Sequence, residues 1–402
     1  MRSTFFGDRL WLGLVVLLGA IGVFLRIYPS AMFTGVGFDE HLYWHYVDQL
    51  SAVGLFDYPA IVEAYLKQQR ELTFSILPPL RFLYIFTAYI WRSLFGTSSL
   101  TALHQVSCCF SILTLPVAFG FSWRLAGKWA AAGVLALMCF APTQIHMSQH
   151  ALVDGFFAFW ALLTVWLLWE NLQRPNHPGL LLAFSAGLML MVLTKENAFF
   201  VFVAVCAIII ANRWLSFGTV TPRLLVYTVA GPALGVICLT MLAGGVPEII
   251  ETYQQSVSKN FTLPYAIKTG DGPWYRYIVD LMLMSPVVLL LAIGGGFHLN
   301  RMKKGLVFLS IFIGASYLVM CNLKYAMNMR YTNMWDMPLR LLAFTQLSAL
   351  CSGFGLRKHY ILSLAVFAVC AVELRQYKVF FVDVPLYEMV SEGLLRAVKI
   401  LK

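Results

Sequence analysis

Just beyond the first apolar run, Phe38-Asp39-Glu40-His41-Leu42-Tyr43-Trp44-His45 places two adjacent carboxylates among imidazoles and aromatic rings. Two neighbouring carboxylates can divide labour, one accepting a proton as general base and the other orienting it or acting as its charge partner. The competing role is structural: Asp39 follows Gly35 and Gly37 and would cap a helix running through Tyr43 and Tyr46. His41 with His45, and His146 with His150, stand four residues apart, so each pair can present two imidazoles on one helical face. A divalent metal held by Asp39, Asp154 and a histidine is one reading of this set; interfacial histidines are the favoured one, and no metal ligand is assigned. Arg81, Lys195 and Arg330 stand where apolar runs end, and a cation there either meets an anionic substrate or snorkels to the membrane interface. Lys195-Glu196 also reads as an ion pair within a tight turn.

Composition dictates the kind of element that must hold these groups. Of 402 residues, 60% are hydrophobic and only 12% charged, with a mean hydropathy of +0.75, which excludes a water-soluble fold. The apolar runs are continuous and do not alternate, so they are helices rather than barrel strands. The formal charge of +10 is scattered through short loops, which reads as orientation signals and not as a nucleic-acid face. All eight cysteines lie in or against apolar runs without CxxC spacing, so neither a disulfide framework nor a cysteine zinc site is expected.

Lys and Arg accumulate in cytoplasmic loops. Placing Arg2, Arg9, Arg124, Lys128, Arg174, Arg213, Arg223, Arg301, Lys303, Lys304, Arg357 and Lys358 inside predicts about eleven spans. They fall at 10–28, 101–122, 129–146, 156–170, 179–194, 197–212, 224–243, 278–298, 305–322, 335–352 and 360–374, with the C-terminus outside. The apolar segment 78–95 is left on the outer surface, because a crossing there would invert every later loop. Its Arg81, Tyr84, Tyr89, Trp91 and Arg92 suit a helix in the headgroup layer. A turn at Lys195-Glu196-Asn197 divides 179–212, which as a single helix would run ~51 Å, too long for one crossing.

The whole chain, 1–402, then reads as one transmembrane domain. Its outer side holds a catalytic loop with juxtamembrane helices at 29–100, a second loop at 244–277 and a tail at 376–402, whose part from 385 onward reads as an amphipathic helix on the membrane. The cytoplasmic loops are too short for a nucleotide-binding domain. Asp39, Glu40, Asp154, Glu196, Asp271, Asp280 and Asp336 all fall outside or at outer span ends, which makes the outer face the working face. No charged residue is read near the middle of a span, and this argues against an ion-coupled transporter. Gly272-Pro273-Trp274-Tyr275-Arg276-Tyr277 has the aromatic density of a membrane boundary, with an acceptor groove as its second reading.

One order of motifs carries more than its parts. An outer Asp39-Glu40 follows the first span; Pro78-Pro79-Leu80 opens an apolar segment ending in Leu94-Phe95-Gly96; a stretch from Ser148 ends in Asp154; Lys195 comes next. Over roughly the first half of the chain this resembles the GT-C glycosyltransferases, most closely the protein O-mannosyltransferase and aminoarabinose transferase branch, glycosyltransferase family 39. The resemblance implies an all-α polytopic fold and transfer of a sugar from a polyprenyl-phosphate donor to an acceptor hydroxyl on the outer face.

It also implies that Asp39 is the base, Glu40 its neighbour and Asp154 a second acidic group facing the same cavity. Lys195, Arg81 and Arg330 then stand at the donor phosphate, with Tyr331 beside Arg330 in a late loop motif and His150 in the stretch before Asp154. Leu77 stands where the family commonly carries Lys or His before Pro-Pro-Leu, a phosphate contact for which Arg81 or Lys195 would substitute, and Gln149 and His150 stand where relatives often carry Arg, a second loss of positive charge. A protein, lipid or glycan acceptor and membrane lipids are the expected partners, without nucleic acid. The expected setting is a bacterial inner membrane, with the site facing the periplasm or exterior. The alternatives are a non-enzymatic lipid or sugar-lipid translocator and a ligase using a diphosphate lipid.

Overall fold

The computed structural model describes residues 2–28, 35–297, 299, 303–324 and 327–401, with side chains from residue 11 onward. The side chains of Arg2 and Arg9, Arg301, and the first part of the outer loop at 29–34 lie outside the described residues. Everything described is helix or connection, with no strand among the described residues. Four separate helices, Ser99–Ala126, Val153–Gln173, Ala198–Leu215 and Pro222–Ala243, and the helical stretch Met329–Asp383 are long and apolar enough to cross a membrane. Shorter apolar helices cover Trp11–Ile27, Phe82–Phe95, Pro178–Thr194, Pro286–Phe297 and Lys304–Met320. The helices thus follow the runs read as spans, and the fold class is the all-α polytopic one.

Three elements differ from expectation. The run 129–146 is not one straight helix: Lys128–Cys139 and Pro142–Ser148 meet at a bend of 58°. Pro142 cannot donate to the preceding turn, and Ala141 before it is extended, as residues preceding proline tend to be. The run 278–298 likewise divides at Ser285-Pro286 into Arg276–Met284 and Pro286–Phe297. The tail is not a helix from 385 onward: residues 384–390 are irregular and only Ser391–Ala397 is helical. Met389 and Leu394 are fully buried, so these two side chains pack into the protein.

The turn at Lys195-Glu196-Asn197 is present between Pro178–Thr194 and Ala198–Leu215. Pro178–Thr194 and Pro222–Ala243 pack closely because small residues face each other: a Cβ on Gly231 would lie 2.4 Å from the carbonyl oxygen of Ser185. The two long loops are themselves helical, with Phe38–Val53, Tyr58–Glu71 and Phe82–Phe95 in the first and Val246–Asn260 and Pro264–Gly270 in the second. The two loops are tied by Arg70, whose guanidinium meets Glu251 in a two-pronged pair at 2.6 and 2.7 Å.

Buried charge also lies within the helices, towards their ends. Arg340, on Asp336–Cys351, is 1% exposed and pairs with Asp336 and with Glu373 of Lys358–Tyr377, both at 2.6 Å. Arg26 near the end of the first helix is equally buried, with Ser111 and backbone carbonyls as its acceptors.

Candidate active site

Asp39 and Glu40 open the helix Phe38–Val53, but neither is its cap residue. Gly37 holds that place in an extended conformation, and Glu40 reaches back to accept the Gly37 amide at 2.7 Å. Glu40 is 1% exposed and fully engaged: its second oxygen accepts the Ala151 amide at 2.6 Å and His150 Nδ1 at 3.2 Å, with His104 3.7 Å away. Burial alone would raise its carboxyl, but the hydrogen bonds from His150, Gly37 and Ala151 outweigh burial and hold it below the ordinary value. Glu40 therefore locks the turn bearing Asp39 onto the segment bearing His150.

Asp39, freed from capping, points to Arg330. Its Oδ2 accepts from Arg330 Nη1 at 3.0 Å, and its side chain remains 20% exposed. Arg330 sits in the short 3-10 turn Met329–Trp335, which Asn328 caps through its side chain. The guanidinium also faces Asp154 at 4.0 Å and Glu388 of the tail at 3.7 Å. Those three carboxylates outweigh burial and raise the Arg330 pKa well above its ordinary value.

Asp154, in the first turn of Val153–Gln173, is paired with the ammonium of Lys195. Lys195 is 2% exposed, and its Nζ lies 4.0 Å from the centre of the Tyr331 ring, a cation–π arrangement. Burial pulls this ammonium down to about 8; Asp154 opposes the shift, while Arg81 and Arg330 add to it. Lys195 and Glu196 do not pair with each other. Glu196 instead meets Arg81 at 3.4 Å, and Arg81 donates from Nη1 to the Tyr43 hydroxyl.

All eight residues expected at the site are thus connected: Asp39, Asp154, Lys195, Arg330 and Tyr331 directly, Arg81 through Tyr43 and Glu196, and Glu40 and His150 through the turn below Asp39. Glu388 and Tyr387 were not foreseen. Glu388 accepts from Tyr265 at 3.1 Å and Asn328 at 3.0 Å. Tyr387 lies under the Asp39 turn, so close that a Cβ on Gly37 would sit 2.0 Å from its Cζ, and its ring stands edge-on to His150 at 5.1 Å. No local pattern could have announced them, since Glu388 reaches Arg330 from an irregular segment 58 residues later in the chain.

The arrangement of donors does not fit a divalent ion. Asp39 and Asp154 are committed to Arg330 and Lys195, His150 faces Glu40, and His41 and His45 are exposed. Among the described residues no group of three or more His, Cys, Asp or Glu side chains gathers as a metal site would.

The site occupies one end of the helical assembly. Asp154 begins Val153–Gln173, while Glu170 at the far end pairs with Arg124 at 2.7 Å and lies 3.9 Å from Arg174. Carboxylate-rich and arginine-rich ends are ~24 Å apart along this one helix.

Comparison with known proteins bears out the resemblance. Residues 80–258 match the family model described as dolichyl-phosphate-mannose-protein mannosyltransferase. No curated protein sequence matches the chain significantly. Among solved structures, ArnT from Cupriavidus metallidurans in its apo state is similar with a TM-score of 0.57 at 14% identity, over 97% of this chain and 76% of that one. The same protein bound to undecaprenyl phosphate gives 0.52 at 14% identity, over 96% and 77%. The oligosaccharyltransferase of Archaeoglobus fulgidus, in complex with zinc and sulfate, gives 0.58 at 14% identity over 92% of this chain, which spans 54% of that longer protein. The fold is that of the GT-C membrane glycosyltransferases, and with the family match the chain is an enzyme of the glycosyltransferase class.

Proposed function

We propose that the chain transfers one sugar from a polyprenyl-phosphate donor to an acceptor hydroxyl at the outer face of the membrane. One observation carries the reading: Lys195 lies over the Tyr331 ring, Arg330 meets the partly exposed Asp39 and Arg81 stands behind Tyr43, three cations each at most 8% exposed. A lipid phosphate is already an acidic leaving group, so its departure needs fixed cations more than a general acid. Lys195 and Arg330 are the cations that take the phosphate; Arg81 supports them from behind Tyr43.

Among the three carboxylates expected here, only Asp39 has the access a base requires. Asp154 is 5% exposed and held by Lys195, and Glu40 is 1% exposed with both of its oxygens hydrogen-bonded. Asp39 accepts the proton of the attacking hydroxyl while the new bond forms at the anomeric carbon. The bond from that carbon to the phosphate oxygen breaks, its electron pair leaves with the lipid phosphate, and a single displacement of this kind inverts the anomeric centre. Asp154 acts by orienting Lys195, and Glu40 by fixing the turn that carries Asp39; both are positioning residues.

The working face is the periplasmic or exterior one, in a bacterial inner membrane, because the site lies at the end of Val153–Gln173 opposite Arg124 and Arg174 and positive residues favour the cytoplasm. Matched structures that carry undecaprenyl phosphate, and a dolichol phosphate with an inhibitory peptide, support a lipid-phosphate donor. The family description favours a protein acceptor over a lipid or glycan one.

A translocator would move a lipid-linked sugar without consuming it. Purified protein reconstituted with a polyprenyl-phosphate sugar and a membrane extract as acceptor source should release polyprenyl phosphate in step with sugar appearing on the acceptor. Movement of intact donor across the bilayer with no release would refute the transferase reading.

A further inference from the structure

The cluster at Arg330 has more negative charge than its cations balance. Arg81, Lys195 and Arg330 face Asp39, Asp154, Glu196 and Glu388. A donor phosphate entering this cluster adds still more negative charge, and at contact distance in a partly desolvated site like charges repel strongly. Release of one carboxylate relieves that repulsion as the phosphate reaches the guanidinium.

The four are not equally able to leave. Asp154 is 5% exposed, rooted in the first turn of a long helix and held by Lys195. Glu196 belongs to Arg81 and makes no contact with Arg330. Asp39 has the short contact to Arg330 and must stay beside the acceptor to take its proton. Glu388 touches Arg330 only at 3.7 Å, is 21% exposed, and is carried by the irregular segment 384–390 rather than by a helix. Its other partners, the Tyr265 hydroxyl and the Asn328 amide, are neutral, so its departure strands no charge. Arg330 Nε, with no hydrogen-bond partner, shows that the guanidinium is not saturated by the carboxylates around it.

We propose that Glu388 is a placeholder for the donor phosphate: a carboxylate of the tail that neutralises Arg330 before donor arrives and is displaced from it when the lipid phosphate binds. The proposal rests on the reading of Arg330 as a phosphate ligand. It makes the tail segment part of the donor site and assigns Glu388 a positioning role, since it touches Arg330 and not the reacting atoms. Displacement lifts the segment at Glu388 while Tyr387, wedged between Gly37 and His150, anchors its other side.

The test is equilibrium binding of a polyprenyl monophosphate to the full-length protein in detergent, with the parent polyprenol as the arm that lacks phosphate. Removing a competing carboxylate should tighten phosphate binding, so Glu388→Gln should bind polyprenyl phosphate about two- to fivefold more tightly than wild type, the range a single loose ion pair supplies. Polyprenol binding should not change. Tyr265→Phe, which keeps the charge but removes one tether of Glu388, should shift phosphate affinity in the same direction and decides the matter if Glu388→Gln fails to fold. Equal or weaker phosphate binding in a folded Glu388→Gln, with wild type binding normally, would overturn the placeholder while leaving the donor reading intact. Absence of phosphate-dependent binding in the wild type would overturn the donor reading and this proposal with it.

Discussion

Arg330 and Arg340 stand ten positions apart in the chain, and each meets more than one carboxylate, yet the two clusters are built to opposite ends. Arg340 is closed: its contacts to Asp336 and Glu373 are both 2.6 Å, its Nε donates to the Leu137 carbonyl at 3.1 Å, and the acids are backed by Gln144 at 2.8 Å and Ser285 at 3.0 Å. Arg330 is open: one contact of 3.0 Å, two of 3.7 and 4.0 Å, and partners that are about one-fifth exposed at Asp39 and Glu388. A saturated guanidinium has nothing left to offer a substrate and fixes helices; an unsaturated one holds capacity for an anion. The same residue type does structural work in one place and chemistry in the other, and the completeness of its hydrogen bonding tells them apart.

The comparison breaks most visibly if Arg340 is removed. Arg340→Met should cost about 3–5 kcal/mol of stability, because it leaves Asp336 and Glu373 as buried carboxylates without their cation. Thermal unfolding in detergent should show that loss. Near-wild-type unfolding would mean the inner cluster is not the structural one. Gln144 also donates to the Asn333 carbonyl at 3.2 Å, so the inner cluster holds one end of the turn that presents Arg330.

Smaller and of a different kind is the effect expected at Lys195. Lys195→Ala should weaken polyprenyl-phosphate binding by about tenfold, the scale of one charge-assisted hydrogen bond, with the protein still folded. Unchanged affinity would remove Lys195 from the phosphate site.

A pH series sharpens the same point. The Lys195 ammonium is depressed to about 8 by burial, so its charge is present below that pH and is lost as pH rises through it. Donor affinity should therefore fall through pH 8 and above, and Lys195→Arg, charged throughout, should flatten the profile. The sign for stability is the reverse: a depressed lysine opposes folding while charged, so its own penalty is relieved as pH rises from about 8 toward its unfolded value.

The smallest effect belongs to Glu40. Its carboxyl is held below the ordinary value, so its contribution to stability is present above the unfolded pKa and is lost as pH falls through the folded one. Glu40→Gln keeps an acceptor for one amide but gives up the charge, and should cost about 1 kcal/mol, on the scale of a lost cap. It should also make acid unfolding less steep; a wild-type acid profile in that variant would show that the carboxylate charge contributes nothing to stability.

Much of the site was legible because its residues sit at the ends of apolar runs, where polarity stands out. Asp154, Lys195 and Arg330 could each be found that way, and the order of motifs grouped them before any contact was known. Glu40 was half legible: the adjacent carboxylates were seen, but which one turns back to the Gly37 amide depends on the helix starting two residues earlier than a cap at Asp39 would allow. Glu388 was illegible, since in the tail pattern it counted as one polar position of an amphipathic helix that does not form. Arg340 and Glu373 escaped for another reason: each lies in a run whose average apolarity conceals its few charges, and the two meet only across two helices. The bend at Pro142 was written in the sequence but overridden by reading 129–146 as one apolar run.

Proton transfer from the attacking hydroxyl to Asp39 is the step on which the proposed transfer turns. The direct measurement is the transfer rate of Asp39→Asn at saturating donor, with donor affinity and thermal stability measured on the same preparation. Asparagine nearly matches aspartate in shape but cannot take that proton. Turnover should fall by about 10²- to 10⁴-fold while stability is kept and polyprenyl-phosphate binding is no weaker than in wild type. A folded Asp39→Asn protein that binds donor and transfers sugar at the wild-type rate would contradict it.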